Sequence, residues 1–319
     1  MKPGLAAAAV WAQPFVLLML APLVQGCVRK LKAVLQNRQG AGVLQPYWDL
    51  LKNLRKEEVV SETASPIMRF VPYAAFSATF LACFLVPVLL PASPLGFAGD
   101  MIALVYLLAL PRFFMALGGL DAGSAFGGMG SSREMMISSA AEPALIAALF
   151  TAAVRAGSTG AAEAASAAAA SAPAALGPGL ALGFIALFLV ALAECGRLPV
   201  DNPATHLELT MVHEAMILEH SGRSLALIEL SSMLKLTLFL TLLANLFIPW
   251  GLASRTDPAS AVFSAGIFGL KLGGLVLTLS VVENSTAKLR LFRVPDFLGI
   301  AFVLALLGLL SEGILRLGL

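Results

Sequence analysis

The sequence predicts an all-α fold: a polytopic integral membrane protein with about eight transmembrane helices and an amphipathic helix on the cytoplasmic surface. Three observations carry this. Of 319 residues, 59% are hydrophobic and only 13% charged, with a mean hydropathy of +0.88, whereas charged residues make up about a quarter of an ordinary soluble chain. Residues 3–28, 70–99, 164–193 and 236–254 carry no charge, and a hydrocarbon core takes about 20 apolar residues of helix to cross. Runs this long also exceed the alternating segments of about ten residues used by membrane barrels, so the spans are helices.

Spans are expected near 5–28, 68–90, 100–118, 136–155, 178–195, 226–249, 261–283 and 297–315, within a single membrane domain covering 1–319. The first run is longer than the apolar region of a signal peptide and lacks a small-residue cleavage site, so it reads as a retained helix. After it, "RKLKAVLQNRQGAG" joins a basic cluster to a Gly-x-Gly turn that leads into "QPYWDLLKNLRKEE" (45–58). There Tyr47, Trp48, Leu50, Leu51 and Leu54 stand against Lys52, Asn53, Arg55 and Lys56, the pattern of a short helix lying on the membrane surface. Arg112 interrupts the third span, and Glu142, beside Pro143, the fourth. Between them, "GGLDAGSAFGGMGSSRE" (118–134) lacks the lysine of a phosphate loop, and its glycines suit a tight re-entry into the membrane. "GSTGAAEAASAAAASAPAALGPG" (157–179) is of low complexity, a surface helix or a flexible loop. Pro199 and Pro203 break the chain out of the fifth span, and "LELTMVHEAMILEHSG" has the apolar spacing of a short helix ending at Gly222. The last span is short once Glu312 is reached.

Orientation follows from the basic residues. Eight spans place the loops near 29–67, 119–135, 196–225 and 284–296 on one side, with Arg29, Lys30, Lys32, Arg38, Lys52, Arg55, Lys56, Arg69, Arg133, Arg197, Arg223, Lys288, Arg290 and Arg293. The other side receives only Lys2, Arg155, Arg255 and Arg316. The positive-inside rule makes the rich side cytoplasmic and puts both termini outside. The net charge of +2 records this bias and gives no reason to invoke nucleic acid.

Cys27, Cys83 and Cys195 are far apart and form no C-x-x-C pair, so no thiol set for an iron–sulfur cluster or zinc is present. His206, His213 and His220 recur every seventh residue. On one helix they stand roughly 10 Å apart along the axis, too far for two of them to share a metal. Docking or proton buffering suits them better. The sharper signal is the set of charges inside or at the ends of spans: Arg112, Glu142, Glu194, Glu229, Lys235, Lys271 and Glu283. An ionised group facing lipid costs several kcal/mol, so such residues face the bundle interior, pair up and mark ion routes. The competing reading is a set of ion pairs that only pin helices together.

Three long segments carry a resemblance: "APLVQGCVRKLKAVLQNRQGAGVLQPYWDLLKNLRKE", "LLALPRFFMALGGLDAGSAFGGMGSSRE" and "ALAECGRLPVDNPATHLELTMVHEAMILEHSGR", with "LLANLFIPWG" behind them. They resemble the respiratory complex I subunit 1 family, and within it the membrane subunit of formate hydrogenlyase and hydrogenase-4 type complexes. That resemblance implies an eight-helix subunit without a redox centre, anchoring a peripheral electron-transfer arm to antiporter-like, proton-pumping subunits in the bacterial inner membrane. Iron–sulfur clusters, and nickel–iron in the hydrogenase case, would belong to the partner large and small subunits. The family's first cytoplasmic loop matches at Arg29, Asn37, Arg38, Gly40, Gly42, Gln45, Pro46 and Asp49, its fourth-span glutamate at Glu142, and its "E-x-x-R-x-P-x-D" signature at Glu194, Arg197, Pro199 and Asp201. Where complex I continues with a phenylalanine and a run of acids beside its quinone cavity, this chain has Val200, Asn202, Pro203, Ala204, Thr205 and His206. The expected proton track is therefore Arg112, Glu142, Glu194, Glu229, Lys235, Lys271 and Glu283. The expected arm-docking face is Arg29, Arg38, Asp49, Arg197, Asp201, His206, Glu208, His213, Glu214 and Glu219. A subunit of a quinone-reducing NADH dehydrogenase is the competing reading. A stand-alone transporter is the third, and it should show repeated halves, which are absent here.

Overall fold

The computed structural model describes residues 3–61, 63–98, 100–170, 177–202, 211–248, 250–252 and 258–317. In chain order the helices are α1 (Pro3–Leu35), α2 (Gln45–Arg55), α3 (Pro66–Cys83), α4 (Met101–Asp121), α5 (Ala125–Ala156), α6 (Ala161–Ala170), α7 (Pro178–Glu194), α8 (His213–Ile217) and α9 (Gly222–Leu242). A π-helical turn (Leu243–Phe247) extends α9, and α10 (Pro258–Ser285) and α11 (Val294–Leu317) follow. Seven are long and apolar enough to cross a membrane: α1, α3, α4, α5, α9 with its π-turn, α10 and α11. The remaining expected span is α7, whose 17 residues reach about 26 Å, a little under the hydrocarbon thickness.

Three boundaries differ from the sequence expectation. The loop expected at 119–135 is mostly helix: α4 runs to Asp121 and α5 begins at Ala125. Gly123 supplies the turn with a φ of +66, and Ser124 caps α5 by accepting from the Gly127 N–H. The helices cross so closely that a Cβ on Gly127 would sit 2.2 Å from the Gly119 carbonyl oxygen, so the glycines serve helix packing as well as a turn. The second span ends early, at Cys83, and the chain beyond it is held by Gln13. The Gln13 Oε1 accepts the N–H groups of Val88, Leu89 and Leu90 at 2.9, 2.9 and 3.0 Å. Finally, Gly222 does not end the helix after His213. With a φ of +54 it redirects the chain, and α9 starts there.

Along α9 every residue from Met233 to Phe247 is buried, which makes it the central helix. It packs against α1 and α3, while α4, α5, α7 and α11 pack among themselves on the other side. Asp121, at the end of α4, caps α3 by accepting from the N–H groups of Ser65 and Met68. The Ala-rich stretch contains α6, which buries Ala161, Ala164, Ala165 and Ala168 on one face. This helix lies against α5 and the π-turn.

Candidate functional site

Four helices bring their charges to one buried point. Glu194 ends α7 with a fully buried side chain between Arg112 of α4, at 2.5 Å, and Lys235 of α9, at 2.8 Å. Arg112 also reaches Glu142 of α5 at 3.3 Å. Two carboxylates thus balance two cations, which is what permits these charges inside an apolar bundle. Glu142 differs from the rest. Its side chain is 38% exposed on the bundle wall, whereas that of Arg112 is 6% exposed.

A second set lies beyond it. Glu283, near the end of α10, holds Lys32 of α1 at 2.7 Å and Arg197 at 3.4 Å. Arg197 also donates to the Oε1 of Gln25 in α1. Asp201 pairs with Lys288 at 2.6 Å and accepts the backbone N–H of His213 at 3.3 Å, which ties the chain after α7 to the start of α8.

Two cavities connect these sets. A vestibule of about 350 Å³ is lined by Gln25, Arg29, Lys32, Arg197, Asp201, Glu214 and Glu229, among others. A narrow cavity of about 40 Å³, room for a water or two, is lined by Arg112, Glu194 and Lys235. Cys195, Gly196, His213 and Ser232 line both. The vestibule is therefore the approach to the Glu194 cluster. Burial pushes His220 below its ordinary pKa, against the pull of Glu58 and Glu219, so its imidazole is neutral near pH 7.

Of the expected track, Arg112, Glu142, Glu194 and Lys235 meet; Glu283 joins the second set and Glu229 the vestibule wall. Lys271 stands apart and donates to the carbonyls of Ala244 and Ile248 at 3.1 and 2.8 Å. Of the expected docking residues, Arg29 and Asp49 face each other at 3.6 Å and are half-exposed. Arg38 is exposed and Glu219 partly so. Arg197 and Asp201 are buried, and His213 and Glu214 line the vestibule. His206 and Glu208 lie outside the described residues. Sequence reasoning did not single out Lys32, Gln25 or Lys288 for this network. Lys32 and Lys288 were absorbed into the basic bias of the cytoplasmic loops. Gln25 carried a signal, as one of two amides, with Gln13, in the uncharged part of the first span.

A bundle of long apolar helices with a balanced, buried charge cluster defines a polytopic membrane protein. The chain belongs to the NADH dehydrogenase family, which matches residues 7–311; within it, subunit 1 is the branch concerned. It is 34% identical to hydrogenase-4 component C of Escherichia coli (strain K12) over 296 residues, covering 93% of this chain and 92% of that one. It is also 34% identical to formate hydrogenlyase subunit 4 of the same organism over 299 residues, covering 94% and 96%. Its fold matches a chain of the membrane-bound sulfane sulfur reductase, an archaeal respiratory membrane complex, with a TM-score of 0.82 at 21% identity, over 95% of this chain and 99% of that one.

Proposed function

We propose that this chain is the non-redox membrane anchor and coupling subunit of a hydrogenase-type, proton-translocating oxidoreductase complex in the bacterial inner membrane. The observation that carries the reading is the Arg112–Glu142–Glu194–Lys235 cluster beneath a charged vestibule. The names of the two similar proteins, components of hydrogenase-4 and formate hydrogenlyase, support the hydrogenase type. The vestibule is the cytoplasmic mouth on which a peripheral arm of large and small iron–sulfur subunits sits. Glu142, a carboxylate part-exposed at mid-span, needs a covering partner, because lipid would leave its charge unsolvated. An antiporter-like membrane subunit is that partner. Movement of the arm on reduction shifts the balance between Glu194 and its two cations, and a proton moves between the vestibule and Glu142. Nickel–iron and iron–sulfur chemistry stays in the arm.

Purification of the complex through a tag on this chain tests the reading. Co-purified subunits should hold nickel and give iron–sulfur spectroscopic signals, and the isolated chain should hold neither. Purification of the chain alone, with transport activity of its own, would contradict it. The vestibule also favours a second reading, since it opens between α1 and the residue next to Glu194, where a quinone site would lie. Its lining of charged residues suits a quinone tail poorly. Quinone-dependent turnover blocked by substitution of Gln25 would nevertheless favour that reading.

A further inference from the structure

Lys271 differs from Arg112, Glu194, Lys235 and Glu283, each of which is held in an ion pair. It is buried in α10, and no carboxylate among the described residues lies within ion-pair distance of it. Its partners are two backbone carbonyls, those of Ala244 at 3.1 Å and Ile248 at 2.8 Å. Ala244 lies in the π-helical turn that extends α9 and Ile248 is the residue that ends it; the Ile248 carbonyl also accepts the Trp250 N–H at 2.9 Å. The donor count is informative. A neutral amine has two N–H groups and a lone pair, while an ammonium has three N–H groups and a charge. Two carbonyls match both N–H groups of the amine and leave only its lone pair without a partner. They leave the ammonium with one unmatched donor and no counter-ion.

Two buried hydroxyls lie on α9 roughly one to three turns before these carbonyls. Thr237 and Thr241 are fully buried, and each donates to the carbonyl one turn back, at 2.9 and 2.8 Å, which leaves hydroxyl lone pairs free to accept. Glu229 in the vestibule wall stands about two turns before Thr237 on the same side of the helix, with the apolar Met233 between them. Lys235, two residues before Thr237, points to another face and holds Glu194. The Nζ of Lys271 lies beside Ala244, roughly 14 Å beyond Lys235 along the axis of α9, on the side away from the vestibule.

We propose that Lys271 is a proton-exchange site serving the extracytoplasmic side, beyond Thr237 and Thr241 of α9 and distinct from the Glu194 cluster. A proton reaching the site converts the amine to an ammonium. Transfer of that proton to extracytoplasmic water restores the amine, whose two N–H groups remain on Ala244 and Ile248. No electron moves and no other bond changes. This rests on the proton-translocating role proposed above.

Two variants in the assembled complex separate proton exchange from a merely structural tie. Lys271→Gln keeps two N–H donors for the two carbonyls but cannot titrate; Lys271→Arg keeps donors and fixes the charge. In sealed vesicles both should assemble with the peripheral arm, while the number of protons moved per electron pair falls to about half or less of the parent value. A parent-level ratio in either variant overturns the proposal, because a non-titrating residue then suffices. Failure of both to assemble overturns it too, since holding the turn would be the role of the amine. Glu142→Gln run in parallel separates the two readings. Loss of translocation there with parent-level Lys271 variants upholds the cluster and removes Lys271. The reverse pattern upholds Lys271 and removes the cluster.

Discussion

Glu194 sits between Arg112 and Lys235, so a neutral residue there leaves two cations in a buried site with only the part-exposed Glu142 to balance them. Glu194→Gln should therefore destabilise the detergent-solubilised protein by about 3–5 kcal/mol, the usual cost of breaking a buried pair. Adding Lys235→Met restores the charge balance and should recover most of the loss. A melting midpoint unchanged in the single variant would mean that these charges are not coupled. Gln13 is a second sensitive residue. Gln13→Leu strands the N–H groups of Val88, Leu89 and Leu90, and each unsatisfied group costs about 1–3 kcal/mol. Gln13→Glu keeps the accepting oxygens and should melt closer to the parent. Sequence made Arg112, Glu142, Glu194 and Lys235 legible because a charge in an apolar helix demands an explanation. It did not reveal which charge faces which, since Lys32 meets Glu283 across 251 positions of chain and only helix packing brings them together. Lys271 was legible as a buried cation, but its carbonyl partners depend on a π-turn that no residue pattern announced.

Among the elements, α2 forms a helix where the sequence predicts one, and its place on the membrane surface is a prediction to test. Its N-terminus carries Pro46 in the first turn, and Leu50 packs inward while Trp48, Leu51 and Leu54 are exposed at 65%, 47% and 43%. Tyr47 is half-buried, and its hydroxyl donates to the Met19 carbonyl of α1. The exposed trio, beside Lys52, Arg55 and Lys56, suits the headgroup region. Trp48→Asp with Leu51→Asp should release peripheral subunits from washed membranes, measured by immunoblot of the pellet and the wash, because apolar anchors become charges that need hydration. Full retention would show that α2 plays no part in anchoring the arm. The start of α5 was misread for a physical reason. Glycines and serines normally mark a loop, and here they mark the close crossing of α4 and α5, where Gly119 and Gly127 leave no room for a side chain. The Ala-rich stretch left two possibilities open, and α6 settles the part it covers: an alanine face is narrow enough to lie flat against α5 and the π-turn.

At the scale of the whole molecule, the charge bias and an even number of crossings predict an orientation. A reporter after Leu319 or near Gly160 should read extracytoplasmic, and one near Glu57 or His213 cytoplasmic. A cytoplasmic C-terminus would mean that one helix, most readily the 17-residue α7, does not cross. In this orientation the vestibule opens to the cytoplasm, the cluster lies beneath it and Glu142 leads to the bundle wall, the layout expected of a coupling subunit between an arm and a pump. The most direct measurement is redox-driven proton movement in sealed vesicles carrying Glu142→Gln, or Glu194→Gln together with Lys235→Met. The second variant removes the titratable carboxylate while keeping the buried charges balanced. Both complexes should assemble and hold the arm yet lose most of the proton signal, whereas parent-level proton movement in both would contradict the claim that the cluster carries the proton.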